Sequence, residues 1–335
     1  MINPSSFSGS IQVSKSRVTF LFSGQGSQSF QMARPLYERN PVFRKWMDLL
    51  DDVASELAGE SILATLYHRD HARTQSFYRT LLSHPAIYMT EYSLARTLIA
   101  AGVEPDATLG ASLGTFAAAA VAGCIDARDA LAAVIRHAQA LEASCAPGTM
   151  IAIFAEASVF DDAKLGRHSE LAALNFDGHF VVAATLAGAV EVEQILRKRQ
   201  LTFQRLPVEF AYHSRHVRAA ELPLKVALDK MEVREGNMPV VCCASADPAK
   251  PMSHAHFVAA VREPIYFGKA IERMELSGHY DYIDVGPSGT LATFVKYAIP
   301  SATSRTHTIL TIQGNDLERL AHVISRFTAH NAFVA

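Results

Sequence analysis

Long apolar runs are missing from this 335-residue chain. No uninterrupted stretch approaches the roughly 20 residues that cross a bilayer, so no membrane span is expected. A dominant charge is missing too. Its 31 basic and 33 acidic side chains leave a net charge of −2, which argues against a nucleic-acid partner and gives no membrane-surface signal. The opening Met1-Ile2-Asn3-Pro4-Ser5-Ser6 has no apolar core and does not read as a signal peptide. Cysteine is scarce: Cys124, Cys145, Cys242 and Cys243 show neither CxxC nor metal-ligand spacing, and no metal is expected. Buried free thiols in a reducing cytoplasm are the expectation. No internal repeat, heptad or low-complexity tract occurs. What is present is a 49% hydrophobic composition, enough for a large core in one or two domains.

Apolar Val18 to Phe22 reads as a strand, followed at once by the turn Ser23-Gly24-Gln25-Gly26-Ser27-Gln28. Helical patterns cover Pro41 to Leu57 and Pro85 to Ala101. A strand at Ala107 to Leu109 precedes helices at Thr115 to Ala122 and Ala127 to Ala143. Buried strands alternating with helices predict a parallel sheet covered on both faces. From Gly148 the texture changes. Strands at Thr149 to Phe154, Leu171 to Phe176 and His179 to Ala184, a helix at Ala189 to Gln200 and a strand at Thr202 to Val208 follow. With a weak helix after the first strand, the order is β-α-β-β-α-β, which predicts a ferredoxin-like subdomain over 148–209 inserted into a body of 1–147 and 210–335. Strands resume at Val240 to Ala244 and Tyr282 to Val285, and a helix from Leu317 to Asn331 closes the chain.

The most informative stretch is Gly110-Ala111-Ser112-Leu113-Gly114, between a strand and a helix of small residues. Gly-x-Ser-x-Gly in that context is a nucleophile elbow, which exposes the serine hydroxyl at a helix N-terminus. A serine needs a base to become a nucleophile. Among the 14 histidines, His213 in Tyr212-His213-Ser214-Arg215-His216 is best placed, where the insert returns to the body; His216 is the competitor. No acid is an obvious third member. Asp177 and Asp284 each have a plain turn or strand-end explanation, and a backbone carbonyl can orient an imidazole equally well. A Ser–His dyad is therefore expected. The N–H groups of Leu113 and of glycine-flanked Gln25 are the candidate oxyanion donors. A phosphate loop at 23–28 is disfavoured, because no lysine follows in P-loop spacing.

Taken together, the motifs resemble the malonyl-CoA:acyl carrier protein acyltransferase family, including polyketide synthase acyltransferase domains. Phe22-Ser23-Gly24-Gln25-Gly26-Ser27-Gln28 resembles F-P-G-Q-G-S-Q, Gly110 to Gly114 resembles G-H-S-x-G, and Tyr212 to His216 resembles F-H-S-x-H. Arg262-Glu263-Pro264-Ile265 resembles the N/E-P-V segment, and Asp284-Val285-Gly286-Pro287-Ser288 resembles E-V-G-P-G. The resemblance implies an α/β fold, an α/β-hydrolase-like large domain with an inserted ferredoxin-like small subdomain. It also implies Ser112 as nucleophile, His213 as base, Gln25 and Leu113 as oxyanion hole, and the Glu263 carbonyl as the group orienting the histidine. No cofactor is implied, since the substrate carries its own phosphopantetheine, and the family precedent is a monomer.

Departures from the pattern point to the substrate. Ala111 replaces the usual histidine, Thr115 a common glutamate, and His84 a glutamine before proline. Malonyl-loading relatives place an arginine where this chain has His137, and Arg136 is turned roughly 100° around the helix. Without a bidentate guanidinium, a buried malonyl carboxylate loses a charge-assisted pair, costing such substrates roughly two to three orders of magnitude. The pocket of Ala111, His137, His84 and Tyr212 therefore suits a neutral acyl group such as acetyl. This pattern is similar to the acyl hydrolases that accompany trans-acyltransferase polyketide synthases, which clear carrier-bound acyl groups. The expected partners are acyl carrier protein domains, with acyl-CoA as another acyl source. A chain of this length suits action in trans. Acyl transfer to a carrier is the alternative, and a non-catalytic scaffold on the same fold is the third reading. Arg197, Lys198, Arg199, Arg205 and Arg215 are candidates for a carrier-binding surface, and a solvated helix face explains the 197–199 run equally well.

Overall fold

The structure, a computed structural model, describes residues 16–249, 251–300 and 303–329. The opening arm and the last residues of the expected closing helix lie outside them. The described chain holds strands β1 (Arg17–Phe22), β2 (Ala107–Gly110), β3 (Gly148–Ile153), β4 (Glu170–Phe176), β5 (His179–Thr185), β6 (Phe203–Arg205), β7 (Val240–Cys242), β8 (Asp247–Ala249), β9 (Ile265–Tyr266), β10 (Tyr280–Asp284) and β11 (Arg305–Thr308). The large sheet has the order β11-β10-β1-β2-β7-β8, parallel except for the antiparallel edge strand β8. β1 and β2 are buried along nearly their whole length, as central strands of a helix-covered parallel sheet must be.

The small sheet has the order β6-β3-β5-β4-β9. The last strand of the β-α-β-β-α-β unit lies beside its first, and the third lies between the first and second. This is the ferredoxin-like arrangement, so the α/β body with its smaller inserted unit is realised. Side chains of β3 alternate as a strand requires. Ile151 and Ile153 pack with Phe180 and Val182 against Val192 and Leu196 of the helix Leu186–Lys198. Met150 and Ala152 face the other way, onto Leu141 and the segment around Phe210 and Tyr212. That second face brings the insert against the residues flanking His213.

Differences from the sequence reading have local causes. β9 belongs to the small sheet although it lies outside 148–209, pairing parallel with β4. β8, β9 and β11 have two to four residues each, too short to leave a periodic signal. The strand expected at Thr202 to Val208 shrinks to β6: Leu206 N–H still donates to the Met150 carbonyl at 2.9 Å, and the chain then turns at Pro207, with Val208 N–H donating back to the Leu206 carbonyl. The helix expected from Pro85 begins five residues earlier, as Thr80–Ala100, with Pro85 inside it. Its free N-terminal N–H groups are satisfied from afar: Thr80 N–H donates to the Glu209 carboxylate at 3.0 Å and Leu81 N–H to Glu142 at 2.7 Å. Tertiary caps of this kind leave no mark in the local sequence.

The elbow is held by close backbone contact. Phe22 pairs with Gly110, and Ala111 N–H donates to the Phe22 carbonyl at 2.9 Å. A Cβ on Gly110 would lie 2.4 Å from Thr115 Cα, and one on Gly114 would lie 2.2 Å from the Phe22 carbonyl oxygen. Both glycines therefore serve close packing of strand and helix. The left-handed turn itself falls on Ser112, at φ 55°. Gly114→Ala is expected to lower the urea unfolding free energy by more than about 2 kcal/mol, because rigid backbone surrounds the new methyl group. Unchanged stability would show that β1 can retreat from the helix.

Candidate active site

Ser112 sits where β2 passes into the helix Gly114–Val121. His213 follows β6 in a turn braced by the Ser214 hydroxyl, which donates to the Ala211 carbonyl and accepts from His216 N–H. Both Ser112 and His213 take left-handed backbone, at φ 55° and 59°. Such strain persists only where surrounding structure enforces it. His213 Nε2 lies 2.8 Å from Ser112 Oγ, and His213 Nδ1 lies 2.8 Å from the Glu263 carbonyl oxygen. A carbonyl can only accept, so Nδ1 carries the hydrogen of the neutral ring. Nε2 is then left as acceptor for the serine hydroxyl.

The alternatives separate clearly. His216 makes no bond to Ser112; it lies in the short 3-10 segment Arg215–Ala220, its N–H donating to Ser214 Oγ. Asp177 is exposed in the β4–β5 turn. Asp284 is buried, but its carboxylate accepts from Gly286 N–H at 2.9 Å and Ala292 N–H at 2.8 Å, holding the entry to the helix Thr290–Ala298.

The turn after β1 lies directly on the elbow. A Cβ on Gly24 would stand 2.8 Å from Ser112 Cβ and 3.0 Å from the Ala111 carbonyl. Gln25 is thereby held next to the serine, its side chain anchored to Ser83 Oγ at 3.0 Å. Among the described residues, the N–H groups of Gln25 and Leu113 donate to no protein acceptor. The geometry thus combines a hydroxyl, an adjacent hydrogen-bond acceptor and two unspent N–H donors. Those are the parts that addition to a carbonyl group requires.

His84, His137, Tyr212 and Ala111 are all buried. The His84 ring stands 6.1 Å from that of His137 and 5.6 Å from that of Tyr212, centroid to centroid. The Tyr212 hydroxyl is committed to Thr80 Oγ1 at 2.8 Å, whereas both His84 nitrogens and His137 Nδ1 have no protein partner. Burial pushes the pKa of His213 down to about 4, opposed by the Glu263 carbonyl and assisted by Arg262. Burial also lowers His137 to about 4, with the charge of His213 adding to the effect. For His84, burial and then His137 push in the same direction. All three rings are therefore neutral at neutral pH. It is His137 whose ring belongs to this cluster, while Arg136, half-buried, has no ion pair or hydrogen bond among the described residues.

Sequence reasoning missed Glu91 and Ser23, which join beneath the turn. Glu91 is the only acid in the 21-residue helix Thr80–Ala100, a signal that was available. The expected basic surface is largely engaged: Arg197 and Arg205 both pair with Glu193, Arg215 pairs with Glu170, and Arg199 donates to the Asp162 carbonyl. Cys124, Cys242 and Cys243 are buried free thiols, but Cys145 is half-buried. Among the described residues no helix is long and apolar enough to cross a membrane.

Fold and site together define an α/β protein of the acyl-transfer class, with a serine on an elbow beside a histidine. The sequence profile of the acyl transferase domain matches residues 19–330, and the chain belongs to that family. It is 40% identical over 288 residues to the polyketide biosynthesis acyltransferase homolog BaeD of Bacillus velezensis, covering 86% of this chain and 89% of that one. It is 37% identical over 305 residues to the homolog PksD of Bacillus subtilis, covering 90% and 94%. Among solved structures, the acyl transferase domain of SpnD in complex with 2-(pent-4-yn-1-yl)malonyl superposes with a TM-score of 0.85 at 26% identity, over 93% of this chain and 76% of that one.

Histidine-selective NMR should find the His137 and His213 rings neutral at pH 6, with midpoints near 4. Midpoints at the solvated value of about 6.5 would mean that water reaches both rings.

Proposed function

We propose that this protein hydrolyses short neutral acyl groups, such as acetyl, from the phosphopantetheine thioesters of acyl carrier proteins, through an acyl-enzyme on Ser112. His213 Nε2 takes the hydroxyl proton as Ser112 Oγ attacks the thioester carbonyl. The N–H groups of Gln25 and Leu113 receive the oxyanion. Collapse expels the pantetheine thiol, which takes the proton back from His213. A water molecule, deprotonated by His213, then attacks the Ser112 ester; the Oγ–acyl bond breaks, Ser112 Oγ takes the proton back from His213, and the free acid leaves. The Glu263 carbonyl keeps the imidazole in the tautomer that both steps need.

One observation carries the substrate preference. His137 is a buried, neutral ring stacked near His84, close enough to feel the charge of His213, so a substrate carboxylate reaching it would meet no guanidinium fork. Similarity to the polyketide biosynthesis acyltransferase homologs supports a role beside a polyketide synthase that receives its acyl units in trans, where clearing misacylated carriers is a needed reaction. A monomer acting on separate carrier domains in the cytoplasm, with no cofactor of its own, fits this reading.

A second reading, transfer of an acyl unit between coenzyme A or a carrier and another carrier, draws on two facts. The relatives are named acyltransferase homologs, and the charge of Arg262 bears on His213.

Intact mass of acetyl- and malonyl-loaded carrier protein, incubated with the enzyme, separates the readings. Acetyl loss without an acceptor thiol is expected, abolished in Ser112→Ala. Malonyl loss is expected to be roughly 100-fold slower. Productive malonyl loading of a carrier from malonyl-CoA would overturn the neutral-acyl preference. His137→Arg should narrow the acetyl-to-malonyl ratio at least about tenfold, since a paired guanidinium contributes over 1 kcal/mol. The acid limb of acetyl hydrolysis should fall near pH 4, because the base works only while neutral and its depressed pKa keeps it so down to that range.

A further inference from the structure

A buried acid lies directly under the turn that carries Gln25. Glu91 has no exposed surface. Its Oε1 accepts twice from a single residue: from Ser23 N–H at 2.7 Å and from Ser23 Oγ–H at 2.7 Å. Ser23 is the first residue after β1. It is followed by Gly24, which touches Ser112, and then by Gln25. Ser27 Oγ stands 2.9 Å from Ser23 Oγ and donates to the Gly24 carbonyl at 2.8 Å, which ties the turn to the same point.

We propose that Glu91 is a positioning residue: by holding both donors of Ser23 it sets the direction in which the Gln25 N–H faces Ser112. The proposal rests on the role given to Gln25 above.

Two features make the arrangement specific to this pair. A proline at position 23 would have neither an N–H nor a hydroxyl, so the double bond to Glu91 exists only because serine stands there. A buried acceptor without its donor costs about 1–3 kcal/mol, which couples the identities of residues 23 and 91. The glycine at 286 leaves the space that the Ser23 hydroxyl occupies. A Cβ on Gly286 would lie 2.5 Å from Ser23 Oγ, and the neighbouring Asp284 is already committed to Gly286 and Ala292. Burial pushes the Glu91 carboxyl well above its usual range, against the two Ser23 hydrogen bonds, which lower it, and with a smaller push from Asp284. Both bonds fall on one oxygen, Oε1, an acceptor that glutamine reproduces and leucine does not.

The test follows phosphonylation of Ser112 by a fluorophosphonate, read by mass spectrometry. That reaction needs the serine and its oxyanion donors but assumes nothing about the natural acyl group. Glu91→Leu and Ser23→Pro are each expected to slow it about 10- to 100-fold, as loss of an oxyanion donor does. Glu91→Gln should stay within about threefold of the parent, since the amide oxygen accepts both bonds. Ser23→Pro/Glu91→Leu should react faster than Ser23→Pro, because removing both partners leaves no unsatisfied acceptor. Ser23→Ala, which keeps the N–H bond, should fall between and guards against misfolding of the leucine variant. A merely structural role would lower thermal midpoints without this pattern of rates. Equal rates for the parent and Glu91→Leu, or equal losses for Glu91→Gln and Glu91→Leu, would overturn the proposal alone. A parent protein that takes no phosphonate on Ser112 would overturn the acyl-enzyme reading and this proposal with it.

Discussion

The contact between Gly114 and the Phe22 carbonyl is the constraint on which the site depends. It presses the helix after the elbow against the end of β1, at the point where β1 pairs with β2. Strand, elbow and the Ser23–Gln28 turn are thereby locked into one body. Ser112 takes its left-handed backbone because both neighbours are fixed, and Gly24 can approach the serine because nothing projects from it. Any side chain at position 114 would separate the nucleophile from the turn that carries Gln25.

Desolvation is the second organising force. Around this body the protein buries His84, His137, His213, Glu91 and Asp284. Burial drives every one of these groups toward its neutral form. The histidines are pushed down, His137 and His213 to about 4, while the carboxyls are pushed up, Asp284 to about 6. The result is an interior in which burial opposes charge on each of these groups.

Much of this was legible from the chain. The apolar run at Val18 to Phe22, the Gly-x-Ser-x-Gly elbow and the small-residue helix after it are local patterns, and each appears within a residue or two of its expected place. The β-α-β-β-α-β unit was readable because its strands are long enough to alternate. Short strands were not, since two to four residues carry no period. Thr80–Ala100 was read with the wrong start because its N-terminal donors are met by Glu209 and Glu142, far off in sequence.

The sequence by itself determined the nucleophile candidate, the order of elements and the residue standing at position 137, because these depend on neighbours along the chain. Tertiary structure decided which of two nearby histidines reaches Ser112, which carbonyl orients it, and that Ser23 and Glu91 form one unit. Those outcomes depend on residues 50 to 101 positions apart meeting at about hydrogen-bond distance. Only the packing of elements far apart in sequence sets such distances.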